Sequence, residues 1–160
     1  MKYLILPIIF LITSCANYLS THKEEALIYQ FKEYKTFYKT PPEANYLNPT
    51  LWNTIKKARA NSKASEFTST LSKFPNEIIQ ITDYKETISN KTGCLLVSGN
   101  NSKKTPVDYY LFYKQKNDRW VIEDVTVKYF FDGAERFLKE AVCDEDKRAQ
   151  LWLKFIEHKQ

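Results

Sequence analysis

The chain has 160 residues, which is the length of a single domain. Hydrophobic residues make up 43% of it and aromatic residues 15%, so a core can form and disorder is excluded as the main state. Because the chain has only three glycines and two histidines, a glycine-rich phosphate loop and a multi-histidine metal cluster are excluded. We therefore expect no cofactor and no metal.

The first 15 residues combine a positive charge with a short apolar run. Lys2 precedes about ten apolar residues, whereas a membrane-spanning helix needs roughly 20. The segment Leu11-Ile12-Thr13-Ser14-Cys15 then resembles the lipobox of bacterial lipoproteins, in which an aliphatic residue and two small residues precede a cysteine. The alternative is a plain secretory signal followed by an unrelated cysteine.

The resemblance to a lipoprotein leader implies an anchor and a location. It implies a signal peptide at residues 1–14, an acylated Cys15 with a short tether at residues 15–21, and a single domain over residues 22–160. Two or three acyl chains would hold the protein firmly on a lipid bilayer. Bacterial lipoproteins that lack an aspartate directly after the cysteine are sorted to the outer membrane of Gram-negative cells. Here Ala16 follows the cysteine, so the resemblance implies the outer membrane, with the protein facing the periplasm.

The net charge is a mild positive surplus. It is +5 for the whole chain and +4 once the leader with Lys2 is removed. An exported lipoprotein does not meet nucleic acid, so we expect no nucleic-acid partner. Contact with anionic lipid or with an acidic partner is compatible with this surplus.

Two cysteines remain beyond the lipobox. Cys94 and Cys143 form an even pair, and the bacterial periplasm is oxidising, so the sequence predicts a disulfide between them. The competing interpretation is a reactive or metal-binding thiol. Two thiols alone are too few for a closed zinc site.

The N-terminal half has helical patterns. Thr21 and Glu24 have the spacing of a capping box. The apolar stripe of the helix that follows consists of Leu27, Phe31, Tyr34 and Tyr38. Pro41-Pro42 ends this helix, and Asn48-Pro49 begins a second one with a shorter stripe. A third helix is predicted at residues 65–74.

The period of the pattern then changes to that of strands. Four runs rich in β-branched and aromatic residues are predicted as strands: Ile78–Glu86, Thr92–Ser98, Val107–Gln115 and Arg119–Tyr129. Short links join them, at Asn90-Lys91, at 99–102 and at Asn117-Asp118. Such links predict an antiparallel meander, since parallel strands need long crossovers.

The third predicted strand is apolar on both of its faces. Tyr109, Leu111 and Tyr113 lie on one face, and Tyr110 and Phe112 lie on the other. Both faces therefore need a cover. The N-terminal helices can cover one face, and a helical extension at residues 132–160 can cover the other. The apolar stripes of this extension are Ala134, Phe137, Leu138 and Ala141, followed by Ala149, Trp152, Leu153 and Ile156. The alternative cover is a second subunit.

The predicted fold class is α+β, with N-terminal helices packed on a curved four-stranded meander. This order of elements, together with the run Trp120-Val121-Ile122-Glu123-Asp124-Val125, resembles the nuclear transport factor two-like, or cystatin-like cone, superfamily. The resemblance covers residues 22–130 and implies a sheet that wraps the helices around a conical pocket. Members include dehydratases, isomerases, binding proteins and structural domains, so the fold leaves the function open.

Catalytic members of that superfamily place a histidine or a carboxylate in the cone as a general base. Here His22 and His158 lie at the two ends of the mature chain, outside the strands. Asp108 shares a strand face with Tyr110 and Phe112, but it lies at the start of its strand, where we expect it to be in water. If that face looked into the cone, Asp108 would be a buried carboxylate with a raised pKa.

The aromatic side chains favour binding over catalysis. Tyrosine and tryptophan suit interfaces because one end is apolar and the other forms hydrogen bonds. The candidate pocket or interface residues are Tyr84, Asp108, Tyr110, Phe112 and Trp120. The sequence predicts a membrane-tethered periplasmic lipoprotein that binds a protein or small-molecule partner without catalysis. An immunity-type lipoprotein is one version of this prediction. The alternatives are a small lyase or isomerase that uses Asp108 or Asp83 with a tyrosine, and a structural accessory of an envelope assembly.

Overall fold

The computed structural model describes residues 26–38, 45–61, 70–131, 136 and 140–157. The predicted α+β class is confirmed: within these residues, two named helices precede a four-stranded antiparallel sheet in the order β1-β2-β3-β4, and one helix follows it. The elements are α1 (Ala26–Phe37), α2 (Pro49–Ala60), β1 (Gln80–Ser89), β2 (Thr92–Asn100), β3 (Pro106–Lys116), β4 (Arg119–Tyr129) and α3 (Glu145–Glu157).

Several predicted features lie outside the described residues. They are the lipobox with Cys15, the Thr21–Glu24 capping box, Pro41-Pro42, both histidines and most of the stripe predicted between residues 134 and 141. Among the helices that the structure describes, none is both long and apolar enough to cross a membrane.

The helix signals near residue 48 are confirmed by the structure. The Asn48 side chain accepts a hydrogen bond from the backbone N–H of Leu51 at 2.7 Å, and Pro49 occupies the first turn of α2. Leu51, Ile55 and Ala58 are buried, as their spacing predicts. The same asparagine donates to the carbonyl of Glu123 at 2.6 Å, so one side chain both begins α2 and ties it to β4.

The predicted third helix ends earlier than the sequence indicates. Residues 70–72 are helical, residues 65–69 lie outside the described part, and residues 73–77 form turns. The Phe74-Pro75 peptide is cis, and Phe74 is fully buried. Phe74 therefore contributes to the core from a turn and not from a helical stripe.

The strand boundaries differ from the predicted ones by up to three residues. β1 runs from Gln80 to Ser89, and β2 continues through Gly99 to Asn100, where the sequence predicts a turn. A Cβ on Gly99 would lie 2.3 Å from the carbonyl oxygen of Gln80, so the close approach of β1 requires glycine there. Asn117 and Asp118 have φ angles of 49° and 59°, the left-handed conformation of the predicted two-residue hairpin.

Helices α1 and α2 cover one face of the sheet. Side chains of both helices pack with those of β2, β3 and β4 in one buried cluster. Its centre is aromatic, because the Phe74 ring lies 5.2 Å from Tyr109, 5.7 Å from Tyr34 and 6.3 Å from Phe31. Burial of such rings is the main source of stability on this face, which we call the helix face.

The chain after β4, which we call the tail and which is described at residue 136 and at residues 140–157, covers the opposite face of the sheet. Cys94, Leu96 and Tyr110 of the sheet pack with Ala141 in a second, smaller buried cluster, and Leu151 of α3 contacts it. We call this the tail face. The predicted alternative, a second subunit as the cover, is not needed for these residues, although Ala141 itself lies in irregular chain before α3 and not in the predicted helix.

Candidate functional site

The five candidate pocket or interface residues do not form one site. Tyr84 packs against the helix face, and the Lys32 ammonium lies 5.7 Å from the centre of its ring. Trp120 is half-buried beside Tyr46, in a hollow of about 260 Å³ at the β3–β4 turn. Asp108, Tyr110 and Phe112 lie on the opposite side, under the tail. The five candidates are therefore divided among three places.

The prediction that Asp108 is in water is wrong. The side chain is fully buried, and one of its carboxylate oxygens lies 2.9 Å from Nε of Arg136 in the C-terminal segment. Burial raises the pKa of Asp108, while a hydrogen bond from Ser98 and the charge of Arg136 act in the opposite direction. Asp108 is buried where Arg136 of the tail lies over the start of β3. The residues next to Asp108 in sequence do not indicate this contact.

Tyr110 lies beside this ion pair. Burial, followed by the neighbouring Asp108 carboxylate, raises the pKa of its hydroxyl, so the phenol stays protonated at neutral pH. Arg136 also donates a hydrogen bond to the Gly99 carbonyl oxygen at 3.3 Å. Asp108 is thus engaged in holding the tail on the sheet, which is a structural use of a buried carboxylate.

The predicted disulfide is present on the same face. Cys94 of β2 is bonded to Cys143, which directly precedes the N-cap of α3, and their Cα atoms are 5.2 Å apart. The Asp144 side chain accepts a hydrogen bond from the backbone N–H of Lys147 at 2.9 Å and so caps the N-terminus of α3. The covalent bond and the Asp108–Arg136 pair fasten the C-terminal segment at two points.

The space between the helices and the sheet is occupied by aromatic rings. A conical pocket, implied by the resemblance to the cone superfamily, would lie there. Phe31, Phe74 and Tyr109 are fully buried in this space, with the rings of Phe31 and Tyr109 edge to face at 5.9 Å. The Tyr109 hydroxyl accepts a hydrogen bond from the Ile78 backbone N–H at 3.2 Å. These rings act as core.

Glu86, which is not among the candidate site residues, places a carboxylate on the helix face. Glu86 of β1 accepts a hydrogen bond from the Ile28 backbone N–H at 3.0 Å, at the first turn of α1. Burial and the nearby Glu86 charge raise the pKa of Tyr113 well above its usual value. The alternation of Tyr84, Glu86 and Ile88 on one strand face was the signal that could have placed Glu86 against α1. Its hydrogen bond identifies it as a tie between helix and sheet.

A surface groove lies at the end of the sheet where β2 turns into β3. One hollow of about 590 Å³ is lined by residues that include Tyr38, Arg59, Lys73 and Ser102. A second hollow of about 270 Å³ shares Lys73, Glu77 and Ser102 with the first and adds Lys103, Tyr129 and Phe131. We call the two hollows together the basic groove. None of the five candidate pocket or interface residues lines this groove.

The structure gives no indication of a metal centre in the part of the chain that it describes. No group of three or more histidine, cysteine, aspartate or glutamate side chains comes together there in a way that could hold an ion. Both cysteines of that part are used in the disulfide.

Comparison with known proteins finds no relative. No protein-family model, no curated protein sequence and no solved structure matches the chain.

Proposed function

We propose that the protein is a lipid-anchored binding protein of the bacterial cell envelope, held by acylated Cys15 in the outer membrane and facing the periplasm. In this proposal the domain binds a protein partner and does not turn over a substrate. Its cone-like arrangement of helices and sheet serves as a rigid support for a binding surface.

The observation that carries the proposal is the Cys94–Cys143 disulfide. A disulfide that fastens the C-terminal segment to the sheet is compatible with an oxidising compartment and not with the reducing cytosol. It therefore supports export, which is also what the leader ending in Cys15 implies. The two indications are independent, because one comes from the first 15 residues and the other from the fold.

Binding is favoured over catalysis by the positions of the acidic groups. Asp108, one proposed base of the enzyme alternative, is paired with Arg136 under the tail. Asp83, the other, is 58% exposed and pairs with Lys85 at 3.2 Å. The rings of Tyr129 and Phe131 and the guanidinium of Arg59 instead border the basic groove, and aromatic residues and arginine are enriched at the centres of interfaces.

Two measurements test the proposal. Radioactive palmitate should label the wild-type protein and not a Cys15→Ala variant, and only the wild type should stay with the membrane fraction. Cross-linking in intact cells followed by mass spectrometry should then recover an envelope partner with the wild type. Palmitate incorporation that persists in Cys15→Ala would contradict the anchor, and loss of a biological activity in Asp83→Asn or Asp108→Asn, with partner capture unchanged, would favour the enzyme alternative.

A further inference from the structure

The basic groove has the charge of a site for anions. Arg59, Lys73 and Lys103 line it together with a single carboxylate, that of Glu77, so positive charges exceed negative ones by two. The Lys73 side chain is 62% exposed although it pairs with Glu77 at 3.4 Å. Because an exposed ammonium can contact a second carboxylate, Lys73 remains available to a ligand.

The Glu77 carboxylate is paired with Lys73 and hydrogen-bonded to Asn101, so it repels an anionic ligand less than an unpaired carboxylate would. It is only 9% exposed and accepts a hydrogen bond from the Asn101 side-chain amide at 3.0 Å in addition to the Lys73 contact. Burial and the neighbouring Glu77 charge raise the pKa of Tyr129 to about 12, so this tyrosine stays a neutral hydrogen-bond donor at neutral pH.

The turn that carries Lys103 is rigidly built. The Asn101 side-chain oxygen accepts hydrogen bonds from the backbone N–H groups of Lys103 and Thr105, each at 2.9 Å. The Asn101 backbone adds two more, donating to the Thr105 carbonyl and accepting from the Lys104 N–H, each at 3.0 Å. A turn held in this way loses little conformational entropy when a ligand binds, which favours affinity.

An apolar platform closes one end of the groove. The Tyr129 and Phe131 rings are stacked, with centroids 6.0 Å apart and an interplanar angle of 15°. Phe131 is 64% exposed, so it gives an apolar side chain of a ligand a surface to cover. Charge and apolar contact are thus both offered within one groove.

From these observations we propose that the basic groove binds an acidic peptide segment of a partner protein, with its carboxylates at Lys73 and Lys103 and an apolar side chain on Phe131. The inference rests on the proposed function and identifies its binding surface. The two hollows adjoin, because they share Lys73, Glu77 and Ser102, so a chain of several residues can occupy both where a compact small molecule would fill one. The positive groove and net charge would also speed the encounter with such a segment.

Selection from a library of random peptides displayed on phage tests this inference, with the mature acylated protein in detergent as bait. The selected peptides should be enriched in aspartate and glutamate together with an aromatic or aliphatic residue. The best of them, titrated by calorimetry, should bind the Lys103→Glu and Phe131→Ala variants about tenfold more weakly or worse, and the Lys103→Arg variant normally.

Matched controls separate the groove from general effects of charge and hydrophobicity. Lys91→Glu makes the same charge change at the β1–β2 turn, at the other end of the sheet, and Leu153→Ala removes an apolar side chain that is 58% exposed on α3. Both should bind the selected peptide like the wild type. Equal weakening in Lys91→Glu and Lys103→Glu would overturn the inference, as would selected peptides without an acidic bias.

The same variants distinguish failure of this inference from failure of the proposed function. If cross-linking recovers an envelope partner equally with the wild type and with Lys103→Glu and Phe131→Ala, the binding function stands and the groove is wrong. If the wild type recovers none, the binding function fails. Binding to vesicles of equimolar phosphatidylcholine and phosphatidylglycerol that depends on Lys103, with no acidic peptide selected, would assign the groove to a membrane surface instead.

Discussion

The two faces of the sheet are covered by different means, although β3 presents large apolar side chains to both. On the helix face, α1 and α2 bury a cluster with fully buried aromatic rings at its centre. On the tail face, the buried cluster is small and the cover is fastened by the Cys94–Cys143 bond and by the Asp108–Arg136 pair. The large cover is held mainly by burial, with Asn48 and Glu86 as additional ties to the sheet. The small cover depends more on its specific ties, because hydrophobic stabilisation grows with the apolar area removed from water.

The largest effect is expected where burial dominates. Phe74→Ala should lower the free energy of unfolding by about 3–5 kcal/mol, because it leaves a cavity among Phe31, Tyr34 and Tyr109. Urea denaturation followed by circular dichroism measures this. Phe131→Ala is the matched control, and with its ring 64% exposed it should change stability by less than about 0.5 kcal/mol. Equal losses in the two variants would contradict the assignment of Phe74 to the core.

Removal of the disulfide should cause the next largest loss of stability. Replacing both Cys94 and Cys143 with alanine removes a cross-link between residues 49 apart in sequence, which should cost about 2–4 kcal/mol. Because the tie holds the tail, brief trypsin digestion should cleave the double variant first within the C-terminal segment. Unchanged urea midpoints with and without reducing agent would show that the tail face does not depend on the disulfide.

Burial of the Asp108 carboxylate should make stability depend on pH, because ionisation of the carboxyl group carries a desolvation cost that the Arg136 charge only partly offsets. The pKa of Asp108 is raised in the folded state above its ordinary value of 3.8, so the folded protein binds this proton more tightly than the unfolded chain does. The corresponding stability is fully present below pH 3.8 and is lost as the pH rises through the folded-state pKa. The charged groups that act on Asp108 are Arg136 of the tail and Asp83 of β1.

Asp108→Asn removes this titration and should therefore remove the loss of stability between pH 4 and neutral pH. Urea denaturation of the wild type and the variant over that range measures it. Parallel stability curves for the two proteins would contradict a folded-state pKa above the ordinary value. Binding of the partner should be unaffected, since the carboxylate is buried and lies outside the basic groove.

The smallest effect on stability is expected for Asp83, an exposed carboxylate, in contrast to the buried Asp108. Asp83 is 58% exposed and pairs with Lys85, which is 51% exposed, so Asp83→Asn should change stability by about 0–1 kcal/mol. Added salt should reduce even this difference, because exposed pairs are screened. A loss as large as that of the disulfide variant would show that Asp83 contributes to the tail face more than its ion pair with Lys85 indicates.

The local patterns were sufficient for most of the secondary structure. Asn48-Pro49 predicted the start of α2, Asn117-Asp118 predicted the hairpin, and the bounds of β4 were predicted without error. These features succeed because capping, left-handed turn conformations and strand periodicity depend on neighbours in sequence. The compartment argument on Cys94 and Cys143 likewise needed no structure to predict a disulfide.

The sites, in contrast, depended on contacts between distant residues. Asp108 looked solvent-exposed from its own neighbours and is buried because Arg136, 28 positions later in the chain, lies on it. Lys73, Glu77, Asn101 and Phe131 carried no joint pattern, and the turns before β1 and after β2 together with the end of β4 bring them to one groove. By itself, therefore, the sequence determined the elements and their order, while only the tertiary structure decided which polar groups are buried together, because burial is set by what packs on a residue and not by what precedes it.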